Sequence, residues 1–233
     1  MTLLISSPGE YPAVAAGAIA GAIEEAITGR GRCALALAGG GTPAPVYQAL
    51  ALHSTIRWSA VDIYFGDERA VPPDDPASNF RMARESLLDR IAVSAECVHR
   101  MPADRRDRAV AATEYDALLP GSLDVLLLGM GEDGHTASLF PRSAALAESQ
   151  RRVLAVTGTK APVERLTITP PVIAAARTIF VMVRGSAKAA MVSRVIEGHD
   201  DPQNLPAQLA RHGTWLLDDD AAALLQLAGG APD

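Results

Sequence analysis

Asp133 and His135 stand two residues apart in the run Gly129-Met130-Gly131-Glu132-Asp133-Gly134-His135-Thr136, where three glycines frame one carboxylate and one imidazole. An imidazole exchanges protons near neutral pH, so His135 is a candidate general base, and Asp133 can orient its ring or raise its basicity. The same residues, taken alone, also describe a solvated histidine beside an Asp-Gly turn. A second run, Gly39-Gly40-Gly41-Thr42-Pro43, reads as an anion cradle. Consecutive glycines expose backbone N–H groups, and a helix with Thr42 as N-cap and Pro43 as first residue adds the positive end of its dipole. Asp67, Glu68 and Arg69 follow Gly66 and are either a surface ion pair or part of a site. Lys188 falls in the first turn after Ser186, where a helix dipole disfavours a cation; an anion held between them resolves the conflict.

Strands and helices alternate around these residues. Apolar runs predict strands at 3–6, 33–38, 61–65, 123–128, 153–157, 178–183 and 213–217. Helices are predicted at 11–28, ended by Gly29, and at 43–52, 79–88, 106–119 and 171–176. Ser186 can cap another through Glu197, and Asp218 precedes the last. The pattern predicts an α/β fold, a doubly wound, mostly parallel Rossmann-like sheet with helices on both faces, in a single domain over 1–233. Ligands bind beyond the carboxyl ends of such strands. Four loops then share one edge: 39–42, 66–69, 129–135 and 185–188. Trp58, Trp215, Tyr64 and Phe65 are assigned to the core.

A net charge of −6 argues against a nucleic-acid partner, and no apolar run reaches the ~20 residues that span a bilayer. Nothing in the first residues resembles a signal peptide, and Cys33 and Cys97 form no CxxC pair, so a cytoplasmic protein is expected. A monomer is the default. Both glycine runs satisfy the dinucleotide fingerprint, through Gly39-x-Gly41-x-x-Ala44 and Gly129-x-Gly131-x-x-Gly134. Asp62, however, begins its strand, and 135–141 does not open a helix, so the pattern is incomplete at both. No Gly-Lys-Ser/Thr, Gly-x-Ser-x-Gly or His-Glu-x-x-His motif occurs, which leaves His135 as an acid or base acting without metal.

The segments Ala38 to Pro43, Phe65 to Arg69 with Val71 to Asp74, Ser78 to Glu85, Leu128 to Pro141 and Arg165 to Thr169 together resemble the 6-phosphogluconolactonase family, the lactonase group related to glucosamine-6-phosphate deaminases. Weaker matches at 185–190 and 205–207 extend the resemblance over nearly the whole chain. It implies hydrolysis of a small phosphorylated sugar lactone, 6-phosphoglucono-1,5-lactone, in the oxidative pentose phosphate pathway, without a cofactor. By the same resemblance His135 is the general base and Asp133 its neighbour. Arg69, Arg81 and Lys188 are the cations around the phosphorylated substrate, with Gly39, Gly40, Gly41 and Thr42; by itself, Arg81 reads as a solvated helix residue. Asp67 matches a conspicuous acid of the deaminases. Arg184 departs from the family pattern, in which a small or hydroxyl residue commonly precedes Gly185. Two rivals remain. A deaminase or isomerase normally carries Asn-Glu-Pro where this chain has Leu139-Phe140-Pro141, and a non-catalytic sugar-phosphate sensor usually accompanies a DNA-binding domain.

Overall fold

A computed structural model describes residues 1–226; residues 227–233 of the expected single domain lie outside it. Six strands form one parallel sheet: β1 (Thr2–Ser6), β2 (Cys33–Leu37), β3 (Val61–Phe65), β5 (Val125–Gly129), β8 (Thr178–Val183) and β9 (Thr214–Asp218). Their order is β1-β9-β8-β5-β2-β3, every neighbouring pair parallel. From β2 the chain steps outward to β3, then returns to the other side of β2 as β5. This reversal opens a crevice at the carboxyl ends of β2 and β5, the strands that lead into the two glycine runs. Val125 through Leu128 are at most 1% exposed, as a strand covered on both faces requires.

A second sheet departs from expectation. β4 (Asp67–Arg69), β6 (Val153–Thr157) and β7 (Glu164–Ile168) form an antiparallel sheet in the order β4-β7-β6. Residues 66–69 are therefore not simply a loop, and 153–157 is a strand outside the main sheet. An Asp-Glu-Arg triplet has no apolar alternation to announce a strand. It becomes one by pairing with a segment far along the chain, Asp67 opposite Thr167 and Arg69 opposite Arg165.

The helices are α1 (Tyr11–Arg30), α2 (Pro43–Leu50), α3 (Asn79–Ser86), α4 (Arg108–Leu118), α5 (Pro170–Ala175), α6 (Ala189–Glu197) and α7 (Asp219–Ala222). α1 runs past Gly29 and ends at Gly31, which takes the left-handed conformation that closes the helix. Ser186 does not cap α6; a single 3-10 turn over Ser186–Lys188 precedes it. No helix among the described residues is long and apolar enough to cross a membrane.

Two buried tyrosines fix the strand ends that carry the site. Tyr47 of α2 accepts the Ala38 N–H at 2.8 Å and donates to the Ala38 carbonyl at 2.9 Å, locking the exit of β2. Tyr115 of α4 accepts the Phe65 N–H at 2.8 Å at the end of β3. Trp58, Tyr64, Phe65 and Trp215 are buried in the core.

Candidate active site

The loop after β5 folds into a compact knot. Gly131 N–H donates to the His135 carbonyl at 2.9 Å, Gly134 N–H to the Gly131 carbonyl at 3.1 Å, and the Thr136 hydroxyl to the Gly129 carbonyl at 2.9 Å. Gly134 has φ +83°, a conformation side chains rarely adopt. Within the knot Asp133 Oδ1 lies 2.5 Å from His135 Nδ1 and accepts the His135 backbone N–H at 3.2 Å. Hydrogen bonding to His135 is the main reason that the Asp133 carboxyl is pulled down to about 2. An ionised carboxylate has only lone pairs to offer, so Nδ1 carries the proton and Nε2 keeps its own lone pair free to accept one. A Cβ on Gly131 would overlap both the imidazole and the Asp133 carboxylate, so the couple rests on a residue that must lack a side chain. The Phe140 ring packs against the imidazole at a centroid separation of 4.8 Å.

Across the crevice, Gly39, Gly40, Gly41 and Thr42 line the same cleft as His135. Thr42 occupies the N-cap position of α2, but its hydroxyl makes no cap hydrogen bond. Gly39 touches the core of the site from below: a Cβ there would overlap the Asn79 amide. Asn79 Nδ2 donates to Asp67 Oδ1 at 3.0 Å and to the Asp67 carbonyl at 2.9 Å. The other Asp67 oxygen accepts from the Ser138 hydroxyl at 2.6 Å and faces Arg165 Nη1 at 3.9 Å. Asp67 is thus a buried hub, not half of a surface ion pair.

Glu68 is buried too. It accepts the N–H groups of Arg69, Asn79 and Phe80 at 2.7–2.8 Å and the Ser78 hydroxyl at 3.0 Å, which ties β4 to the start of α3. Burial pushes its carboxyl pKa up, against those four donors. Arg69 lines the cleft, with Nη1 donating to the Ala77 carbonyl at 2.6 Å and Nε making no hydrogen bond.

Lys188 reaches the knot from the other side, its Nζ donating to the Met130 carbonyl at 3.0 Å. The turn that carries it is anchored by buried Asp218, which accepts the Gly185 N–H at 2.9 Å. Burial lowers the Lys188 pKa; Glu132 opposes this, the nearby charge of Lys160 adds to it, and Asp133 opposes it. If Lys188 holds an anion, affinity for inorganic phosphate should therefore fall with rising pH before the ordinary lysine range is reached. Titration calorimetry across the alkaline range checks this, and an affinity that holds until the ordinary lysine range contradicts it.

The structure brings together every residue singled out for the site except Arg81. That side chain pairs with Glu85 at 2.7 Å and donates to the Asp74 carbonyl at 2.9 Å, outside the cleft. Its helical spacing to Glu85 is that of an ordinary i,i+4 pair. Arg184 also stays out of the cleft, with its guanidinium over the Tyr11 ring and donating to the Pro8 carbonyl. Arg165 was not singled out, yet it lines the cleft and is 6% exposed. The alternation Arg165-Leu-Thr-Ile-Thr169 was its one local signal, since a period of two marks a strand that presents every second side chain to one face.

A parallel sheet whose switch point faces an acid–histidine couple and a glycine-rich loop at a helix N-terminus is a layout suited to acid–base chemistry. The chain belongs to the family described as glucosamine-6-phosphate isomerases/6-phosphogluconolactonase, whose model matches residues 6–217. It is similar to the 6-phosphogluconolactonase of Mycobacterium tuberculosis, at 39% identity over 91% of this chain and 93% of that one. The 6-phosphogluconolactonase of Nostoc sp. is 38% identical over 88% and 90% of the two chains. Among solved structures, 6-phosphogluconolactonase from Trypanosoma brucei superposes with a TM-score of 0.84 at 29% identity, covering 95% of this chain and 97% of that one.

Proposed function

We propose that this protein hydrolyses 6-phosphoglucono-1,5-lactone to 6-phosphogluconate in the oxidative pentose phosphate pathway, with His135 as general base. The observation that carries the mechanism is the Nδ1···Oδ1 contact of 2.5 Å between His135 and Asp133, at the rim of a cleft whose far wall is an anion cradle. In this reading the phosphoryl group lies against the 39–42 loop and the cations Arg69 and Lys188, and the lactone carbonyl faces His135. Nε2 takes a proton from water as its oxygen attacks C1. The bond between C1 and the ring oxygen then breaks, and the imidazolium returns the proton to that oxygen, leaving the open-chain acid. Backbone N–H groups or a cation of the cleft stabilise the intervening oxyanion. Arg81 has no part in this reading, and Asp67 serves it by holding Asn79, Ser138 and Arg165 in place.

Two free thiols fit a cytoplasmic setting. Turnover of freshly prepared 6-phosphogluconolactone, compared with its spontaneous hydrolysis and with unphosphorylated glucono-1,5-lactone, tests the proposal. Rapid loss of the phosphorylated compound alone is expected. Equal acceleration of both lactones would remove the phosphate cradle from the reading, and no acceleration of either would leave a sugar-phosphate sensor.

A further inference from the structure

Among the described residues, the imidazole of His135 makes one hydrogen bond, from Nδ1 to Asp133. A bond at one atom fixes that atom but lets the plane of the ring rock about it, and Nε2 lies across the ring from it. Gly131 bounds the Nδ1–Cε1 edge, where a Cβ would come within 2.2 Å of both atoms. The other contact is Phe140, whose ring centroid lies 4.8 Å from that of the imidazole with the two planes inclined by 42°. Phe140 is 4% exposed and stands behind the cleft wall rather than in it, so it can act on the chemistry only through His135.

A tight turn seats this ring. The Leu139 N–H donates to the Thr136 carbonyl at 2.9 Å, and Ala137 takes φ +47°, which L side chains rarely adopt. The turn is pinned at Ser138, whose hydroxyl donates to Asp67 at 2.6 Å and whose N–H donates to the Thr167 hydroxyl at 3.1 Å. Around the ring lie the Arg165 guanidinium, 5.6 Å from its centroid, and the hairpin between β6 and β7, where a Cβ on Gly158 would come within 2.9 Å of Phe140 Cε2 and Cζ. The hairpin also holds Arg165, which donates from Nη2 to the Lys160 carbonyl and from Nε to the Pro162 carbonyl, each at 3.1 Å. A left-handed alanine persists only where its surroundings over-determine it, and here they converge on one aromatic ring. We infer that Phe140 is a positioning residue: wedged between the hairpin and the imidazole, it fixes the plane of His135 so that Nε2 keeps one direction while Asp133 holds Nδ1. The 158–163 hairpin is then a buttress behind the general base. This rests on the proposed lactonase reading for the reaction, but not for the fixing of the ring.

The test uses the full chain with Phe140→Leu, which stays apolar but removes the ring, and Gly158→Ala, which pushes on the ring from the hairpin. For Phe140→Leu, kcat on 6-phosphogluconolactone should fall about tenfold, the scale of a base displaced by a fraction of an ångström, while KM changes less than about twofold. Nitrogen-15 NMR of the imidazole, at a pH where it is neutral and with its signals assigned by their loss in His135→Ala, gives a readout that a merely structural role would not move. The wild type should show one tautomer, protonated at Nδ1. In Phe140→Leu the Nδ1 and Nε2 shifts should draw together as the ring leaves Asp133 for part of the time, and Gly158→Ala should move kcat and spectrum the same way by less. Unchanged kcat, a loss confined to KM, or an unchanged His135 spectrum in Phe140→Leu overturns the assignment. If that variant does not fold, Gly158→Ala decides by the same two readouts. If the wild-type chain hydrolyses neither lactone, the lactonase reading fails by itself, and the spectrum alone decides about Phe140.

Discussion

Replacing His135 by alanine should lower kcat on 6-phosphogluconolactone by about 10²–10⁴-fold, the usual share of a positioned general base, while KM changes little. Water is a poor nucleophile towards the lactone carbonyl until its proton is removed, and Nε2 is the ring nitrogen left free to remove it. Asp133 makes that assignment robust. With its carboxyl pulled down to about 2, it stays ionised throughout the range in which an enzyme works and always accepts the Nδ1 proton. The alanine variant keeps the 39–42 cradle, Arg69 and Lys188, none of which bonds to the imidazole, so affinity for 6-phosphogluconate should survive. Stopped-flow turnover with a parallel binding titration separates the two effects. Wild-type kcat in His135→Ala would remove the residue from the chemistry.

The second large effect is expected at a residue with no functional group. A methyl on Gly131 meets the imidazole and the Asp133 carboxylate at overlap distances. The knot cannot easily swing away, because Gly131 is bonded through its N–H to the His135 carbonyl and through its carbonyl to the Gly134 N–H. Gly131→Ala should therefore displace the ring by about an ångström and reduce kcat roughly 100-fold, with Tm little altered because the backbone there is not in a left-handed conformation. Loss of activity together with global unfolding would point to the knot as a stability element. Full activity would show that the couple tolerates displacement.

Much of this architecture was legible locally. The run Leu-Leu-Leu before Gly129 reads as a strand covered on both faces, and glycines, an acid and a histidine at its end read as a site, because burial on both faces and close backbone approach leave marks within a few residues. Legibility failed where pairing is remote. Asp67 to Arg69 carry no strand signal and gain their conformation from Arg165 to Thr167. Arg81 looked like a site cation by resemblance, yet its nearest opposite charge is Glu85, one helical turn away.

What the sequence by itself determined is therefore the alternation of elements, the loops at the carboxyl edge, and the couple of Asp133 and His135, since each depends on neighbours in the chain. Tertiary structure alone decided that Asp67 is buried beneath the cleft and that Arg165 reaches it. These placements depend on the pairing of β4 with β7, which joins segments about 100 residues apart. No local pattern encodes such a pairing; it forms because the folded chain brings the two edges within hydrogen-bonding distance.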